Sequence, residues 1–197
     1  MPSDLLPTPS AAIQPRTLAQ GETLFRQGDQ SFAIFVVLHG RLRLIRHLAD
    51  GAIVTLHIAR PGDTFAEAAL YSPVYHCDAI ADVATEIDIH PKVDLSKALD
   101  ADPAAARSFM ARMARQIIFL RARLELRNIR SAEERVMQFL RLEIKDGEQQ
   151  ICFANPLKDI ASEIGLTHET FYRTLSTLER CGLINRNGRS ITLNAIT

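Results

Sequence analysis

The stretch 157–193, LKDIASEIGLTHETFYRTLSTLERCGLINRNGRSITL, constrains the rest of the chain most. Leu157, Ile160, Ala161 and Ile164 recur at helical spacing and predict a short helix with one apolar face. Gly165 stands where the chain must turn sharply, and glycine takes positive φ without a Cβ penalty. Thr167 precedes a second periodic run, as an N-cap hydroxyl should, and Glu169 lies in its first turn near the positive end of the dipole. Phe171, Leu175 and Leu178 form the buried stripe of this second helix, which Gly182 closes after Cys181.

The rest of that helix surface carries His168, Glu169, Tyr172, Arg173 and Ser176, mostly near the N-terminus. A helix-turn-helix presents this part of its second helix to base edges in the major groove. Two short strands follow, over 183–186 and 189–193, with Asn187-Gly188 as an expected type I′ hairpin turn. The hairpin makes a wing beside the helices. A winged helix that binds only protein is the plain alternative. DNA is favoured because Arg173 can pair bidentately with guanine and Glu169 can accept from cytosine. His168 and Arg189 are candidates for phosphate contacts, and Thr167 completes the expected DNA-contacting set.

Glu169-x-x-x-Arg173 after Gly165-Leu166-Thr167 resembles the Crp/Fnr family of bacterial transcription regulators, and the resemblance extends from about residue 21 onward. Tyr172 departs from the small residue usual before the Arg in that family. Upstream, 21–89 shows short strands between glycine turns, including 33–38, 41–48 and 53–59, with a hairpin at Asp50-Gly51. Val54, Leu56 and Ile58 alternate with Thr55, His57 and Ala59, the signature of one buried face. Such spacing gives a sandwich or barrel. Gly21-Glu22-Thr23, Gly28-Asp29 and Pro61-Gly62-Asp63 look like the family's double-stranded β-roll, a jelly roll that takes a small effector.

In cyclic-nucleotide-binding relatives a Glu on a short helix meets the ribose hydroxyl, and an Arg-Ser pair further on meets the phosphate. Glu67 matches that Glu, and counting on without a gap puts Cys77 at the Arg and Asp78 at the Ser. The guanidinium contact is thereby lost, and a carboxylate stands where the anion would sit. Cyclic AMP is therefore not the expected effector, and whether another one acts is left open. His76 beside Cys77 raises haem or metal ligation. Adjacent strand residues point to opposite faces, however, and a lone His on a half-buried strand is usually structural. Cys77, Cys152 and Cys181 form no close-spaced set, so the resemblance does not extend to the family's iron–sulfur members.

Pro103 suits the first turn of a long helix over 104–128. Phe109, Met113, Ile117, Leu120 and Leu124 step by four, four, three and four in a narrow seam, surrounded by arginines expected to be solvated. Periodicity alone would pack the seam on its own domain; the resemblance implies a parallel dimer helix. Ser131-Ala132-Glu133-Glu134 has capping-box form and opens another helix with Val136, Phe139, Leu140 and Ile144 inward, ended by Asp146-Gly147. Ile151-Cys152-Phe153 reads as a short strand with Cys152 in the core.

The expected organisation is α+β: a flexible arm over 1–20, a β-roll sensor over 21–101, a dimerisation helix over 102–130 and a winged helix-turn-helix over 131–197. The formal net charge is 0, so basic groups for DNA must be concentrated locally. No apolar run reaches membrane-span length, and three dispersed cysteines suit a reducing cytoplasm. No nucleophile triad, phosphate loop or metal cluster supports an enzyme. The expected function is a homodimeric, sequence-specific regulator on double-stranded promoter DNA, with RNA polymerase implied as partner by the resemblance. The alternative is a haem- or redox-sensing protein whose winged helix docks on a protein.

Overall fold

The computed structural model describes residues 6–144, 149–153, 157, 160–161 and 164–194. The chain divides into two compact units between Arg112 and Met113.

The first unit holds two four-stranded sheets. One runs β1 (Gln14–Leu18), β8 (Thr85–Pro91), β3 (Ala33–His39), β6 (Thr64–Phe65); the other runs β2 (Thr23–Phe25), β7 (Asp78–Ala81), β4 (Leu42–His47), β5 (Ile53–Ala59). All pairings are antiparallel. Between the sheets Phe25, Phe35, Phe65 and Tyr75 stack, the Phe25 and Tyr75 ring centres only 3.8 Å apart. The Tyr75 hydroxyl donates to the Ala33 carbonyl at 3.0 Å, which satisfies the polar tip of a buried ring. Gly40 turns β3 into β4 at φ 83°, and a Cβ there would lie 2.4 Å from the Ala84 carbonyl oxygen. Only glycine fits, in both conformation and space.

Two expectations for this unit need correction. Residues 14–18, placed in a flexible arm, form β1 along β8 from Gln14↔Ile89 to Leu18↔Thr85, and Leu6 and Thr8 are buried. Leu18 enters the core, and Pro15 is tolerated because β1 is an edge strand. The single buried face expected of β5 is also absent: Leu56 is 46% exposed whereas Ile58 and Ala59 are both buried. The ladder pairs Leu44 with His57 and Ile45 with Thr55, which leaves Leu56 as the extra residue of a bulge. A bulge shifts the alternation by one residue, and no periodicity announces it. In the other sheet both faces are covered. Phe35, Val37, Ile87 and Ile89 point to the aromatic core, while Ile34, Val36, Asp88 and His90 are buried on the opposite side. Helix α1 (Lys92–Ala101), which periodicity did not single out, packs against β3 and β8 through Leu95.

Helix α2 (Pro103–Asn128) runs across the boundary between the units. The second unit contains its later half, α3 (Ala132–Glu143), α4 (His168–Arg180) and a sheet in the order β10 (Ile184–Asn187), β11 (Ser190–Leu193), β9 (Gln150–Cys152). Ser131 caps α3 by accepting from the Glu134 N–H at 3.3 Å, the N-cap half of the expected capping box. Leu126, Val136, Phe139, Leu140, Leu157, Ile160, Ala161 and Ile164 join Phe171, Leu175 and Leu178 in one core. Cys152, expected inside, is exposed; Ile151 and Phe153 alternate with it into the core. The helix stop expected at Asp146-Gly147 lies outside the described residues.

Candidate nucleic-acid interface

The candidate interface is built on a capped helix end. The Thr167 side-chain oxygen accepts from the Thr170 N–H at 3.2 Å, and its hydroxyl donates to Thr170 Oγ1 at 2.8 Å. Thr167 therefore serves the cap first, satisfying a donor that a bare helix end would leave open. Gly165 makes the preceding turn at φ 70°. Phe171, Thr174, Leu175 and Leu178 are buried beneath α4, which fixes its rotation about its own axis. That rotation leaves His168, Glu169, Arg173 and Ser176 exposed, with Tyr172 half-buried beside them.

Among the described residues the side chains of Glu169 and Arg173 make no hydrogen bond or ion pair. Their charge is available for an external partner. The His168 and Tyr172 rings lie 4.5 Å apart at 46°, so the larger side chain before Arg173 is held against its neighbour on the same helix face. Ser176 donates to the Tyr172 carbonyl at 3.1 Å, which leaves its oxygen lone pairs as the outward function. The wing is fastened to this helix. The Arg186 N–H donates to Glu179 Oε1 at 3.1 Å, and the Arg186 guanidinium lies 3.5 Å from the same carboxylate. The wing's turn differs from expectation by one residue. Asn187 pairs with Ser190, so Gly188-Arg189 is the two-residue loop, and Gly188 carries the positive φ of 58°. Glycine first is the II′ pattern rather than I′, and it puts exposed Arg189 at the tip.

The proposed dimer seam is divided by the structure. Phe109 is buried at 8% exposure and is withdrawn from the seam; it belongs with the first unit. Met113 is intermediate, whereas Ile117, Leu120 and Leu124 are 51%, 47% and 61% exposed. A second apolar stripe, missed in the sequence, occupies the opposite side of α2. Ile118, Phe119, Ala122 and Leu126 line a groove of about 250 Å³ with Phe139 and Leu142 of α3, and Arg123 lies over the Phe119 ring at 4.5 Å. Two stripes on one helix look like a narrow seam plus scattered apolar residues until the fold shows that each has its own side.

The residues proposed for an effector do not form one polar cradle. Glu67 opens a short 3-10 turn after Ala66, whose φ of 65° is left-handed, and its carboxylate accepts from the Thr64 hydroxyl. Cys77 packs toward the aromatic core, and burial raises its thiol pKa. Asp78 accepts from the Gln27 N–H at 2.7 Å and lies 3.3 Å from His47 Nε2. Its carboxylate is engaged in holding neighbouring backbone. His76 is exposed and Cys77 half-buried, and both lie in the bend that precedes β7 rather than on a strand as expected.

Comparison with known proteins agrees with this fold. Residues 15–102 match the cyclic nucleotide-binding domain family and residues 134–196 the Crp-like helix-turn-helix domain. The chain is 30% identical over 172 residues to the nitrogen fixation regulation protein FixK of Bradyrhizobium diazoefficiens, covering 84% of this chain and 72% of that protein. It is 28% identical over 173 residues to the cyclic AMP receptor protein of Thermus thermophilus, covering 87% and 80%. The structure of FixK2 from Bradyrhizobium japonicum superposes with a TM-score of 0.73 at 25% identity, covering 93% of each chain. With two domain matches in this order and a relative of that similarity, the chain belongs to the Crp/Fnr family of DNA-binding transcription regulators.

Proposed function

We propose that the protein acts as a homodimer on a two-fold-symmetric promoter site, with Glu169 and Arg173 of each α4 reading base edges. The observation that carries this reading is the pairing of two exposed features in the second unit. One is a capped helix whose Glu169 and Arg173 side chains have no partner among the described residues; the other is an apolar seam of Ile117, Leu120 and Leu124 left in water. An exposed stripe of large aliphatic side chains on a long helix is costly unless covered, and a parallel copy of the same helix covers it by symmetry. Two such heads then sit about one helical turn, 34–36 Å, apart on DNA. Arg189 at the wing tip and His168 are assigned to phosphates, with Tyr172 and Ser176 beside the readers.

For the first unit we propose that cyclic AMP is not the signal. Position 77 carries a thiol in place of a guanidinium, and the Arg46 guanidinium near it is engaged with the His76 carbonyl at 2.8 Å. The charge-assisted bidentate contact that would offset the cost of desolvating a phosphate is therefore not supplied there. Sedimentation of the free protein and gel shift across a salt series test the reading together. The expected result is a dimer whose sequence-selective binding weakens steeply as salt rises. A folded monomer, or binding indifferent to sequence at every salt, would contradict it.

A further inference from the structure

Arg135, on the first turns of α3, reaches carbonyls on two separate segments of the second unit. Its Nε donates to the Ile129 carbonyl at 2.9 Å and its Nη2 donates to the same oxygen. Its Nη1 donates to the Ile164 carbonyl at 3.3 Å and to the Gly165 carbonyl at 3.1 Å. Ile129 follows directly on the end of α2, and Gly165 is the turn that leads into the Thr167 cap of α4. From the other side Arg127, in the last turn of α2, closes on the same turn: a Cβ added to Gly165 would meet Arg127 Cγ at 3.6 Å and Arg135 Nη1 at 3.8 Å.

We infer that Arg135 is a positioning residue that locks the reading head to the end of the α2 helix, and so sets the distance and rotation between the two recognition helices of a dimer. The inference rests on the dimer reading above. Carbonyls at a helix end and at a tight turn lack regular partners, and a planar guanidinium can satisfy several of them at once because its donors are fixed in a fork. Three carbonyls on two separate segments thereby share one rigid group. Without it, the link between α2 and α3 over residues 129–131 keeps its chain connection but loses the brace to the turn. Each head would still fold and still read its half-site; what would be lost is the fixed geometry of the pair. A rigid pair binds the correctly spaced site with a high effective concentration and pays for any other spacing, whereas a loosened pair tolerates both.

The test uses the full chain and synthetic duplexes derived from its selected operator: the parental spacing, spacings one base pair shorter and longer, and a single half-site. Two variants are compared, Arg135→Lys and Arg135→Met. Lysine keeps the charge and the stem but offers a point donor that cannot span Ile129 and Gly165 together. For the parent, one base pair turns the second head by about 35° around the duplex and should weaken binding about tenfold or more. In both variants that penalty should shrink to about threefold or less, through weaker binding at the parental spacing, while single-half-site affinity stays within about twofold. Thermal unfolding checks that the variants are folded, and Arg135→Lys carries the test if Arg135→Met is not. A folded, dimeric Arg135→Lys with the parent's full spacing penalty would overturn the inference alone. A parent indifferent to spacing would overturn the dimer reading, and this inference with it.

Discussion

The loops of the first unit and the first turns of α4 use charged residues in opposite ways. In the first, polar side chains are turned to the protein itself: Asp29 and Asp63 accept from the Arg26 and Arg60 N–H groups at 2.8 and 2.9 Å, Asp78 holds Gln27, and Asp82 lies 3.1 Å from the Arg41 Nε. Strand ends and turns leave backbone donors that such carboxylates satisfy. On the first turns of α4 the reverse holds, and the Glu169 and Arg173 side chains face solvent without a partner among the described residues. The difference teaches where function can be read from residue type. A charge that caps its own loop is explained by the fold; a charge left open at the start of a capped helix whose other face is locked is available to an external partner.

The largest effect is expected at α2. Leu120→Glu puts a carboxylate into the proposed seam, and an uncompensated buried charge costs about 3–5 kcal/mol. Dimer and operator binding should fall together in sedimentation and gel shift, with each unit still folded. An intact dimer would move the interface elsewhere. Next in size is Arg173→Ala, expected to cost about 1–3 kcal/mol of specific affinity and to relax discrimination at one base pair of each half-site. Binding titrations on operators altered base by base would show it; unchanged preference would remove Arg173 from the readers.

A smaller effect separates the units by pH. His90 is fully buried, both ring nitrogens lack a protein hydrogen-bond partner among the described residues, and burial lowers its pKa while Asp88 opposes the shift. A histidine kept neutral in the fold binds a proton more readily when unfolded. Stability is therefore full above the ordinary pKa and declines as pH falls below about 6.5, by at most about 1.4 kcal/mol per pH unit. Scanning calorimetry between pH 8 and pH 5 should show the first unit losing stability, and His90→Leu should flatten that dependence. An equally steep decline in His90→Leu would assign it to other groups. The smallest expected effect is none at all: cyclic AMP at millimolar concentration should give no saturable heat in calorimetry and no change in DNA affinity. Micromolar binding would mean that a basic residue other than one at position 77 reaches the phosphate.

The second unit was more legible than the first because its signals are local. Caps at Ser131 and Thr167, the Gly165 turn and the stripe of Phe171, Leu175 and Leu178 each follow from a few adjacent residues, and the fold keeps them all. What escaped was set by neighbours distant in sequence. The bulge at Leu56 depends on how β4 and β5 register, and β1 became a strand only because β8 offered an edge. The burial of Phe109 and the second stripe of α2 depend on which element packs on each side of a helix. Arg135 gave no signal at all: one arginine after two glutamates on an amphipathic helix looks like a solvated face, and only the positions of Ile129 and Gly165 reveal what it holds.

The central claim, a symmetric pair of α4 helices reading DNA, is tested most directly by selecting binding sites for the purified full-length protein from a pool of randomised duplexes. The expected result is enrichment of an inverted repeat whose half-site centres lie about 10 base pairs apart. Enrichment of a single unrepeated site, or of no sequence above the background of salt-sensitive binding, would contradict it.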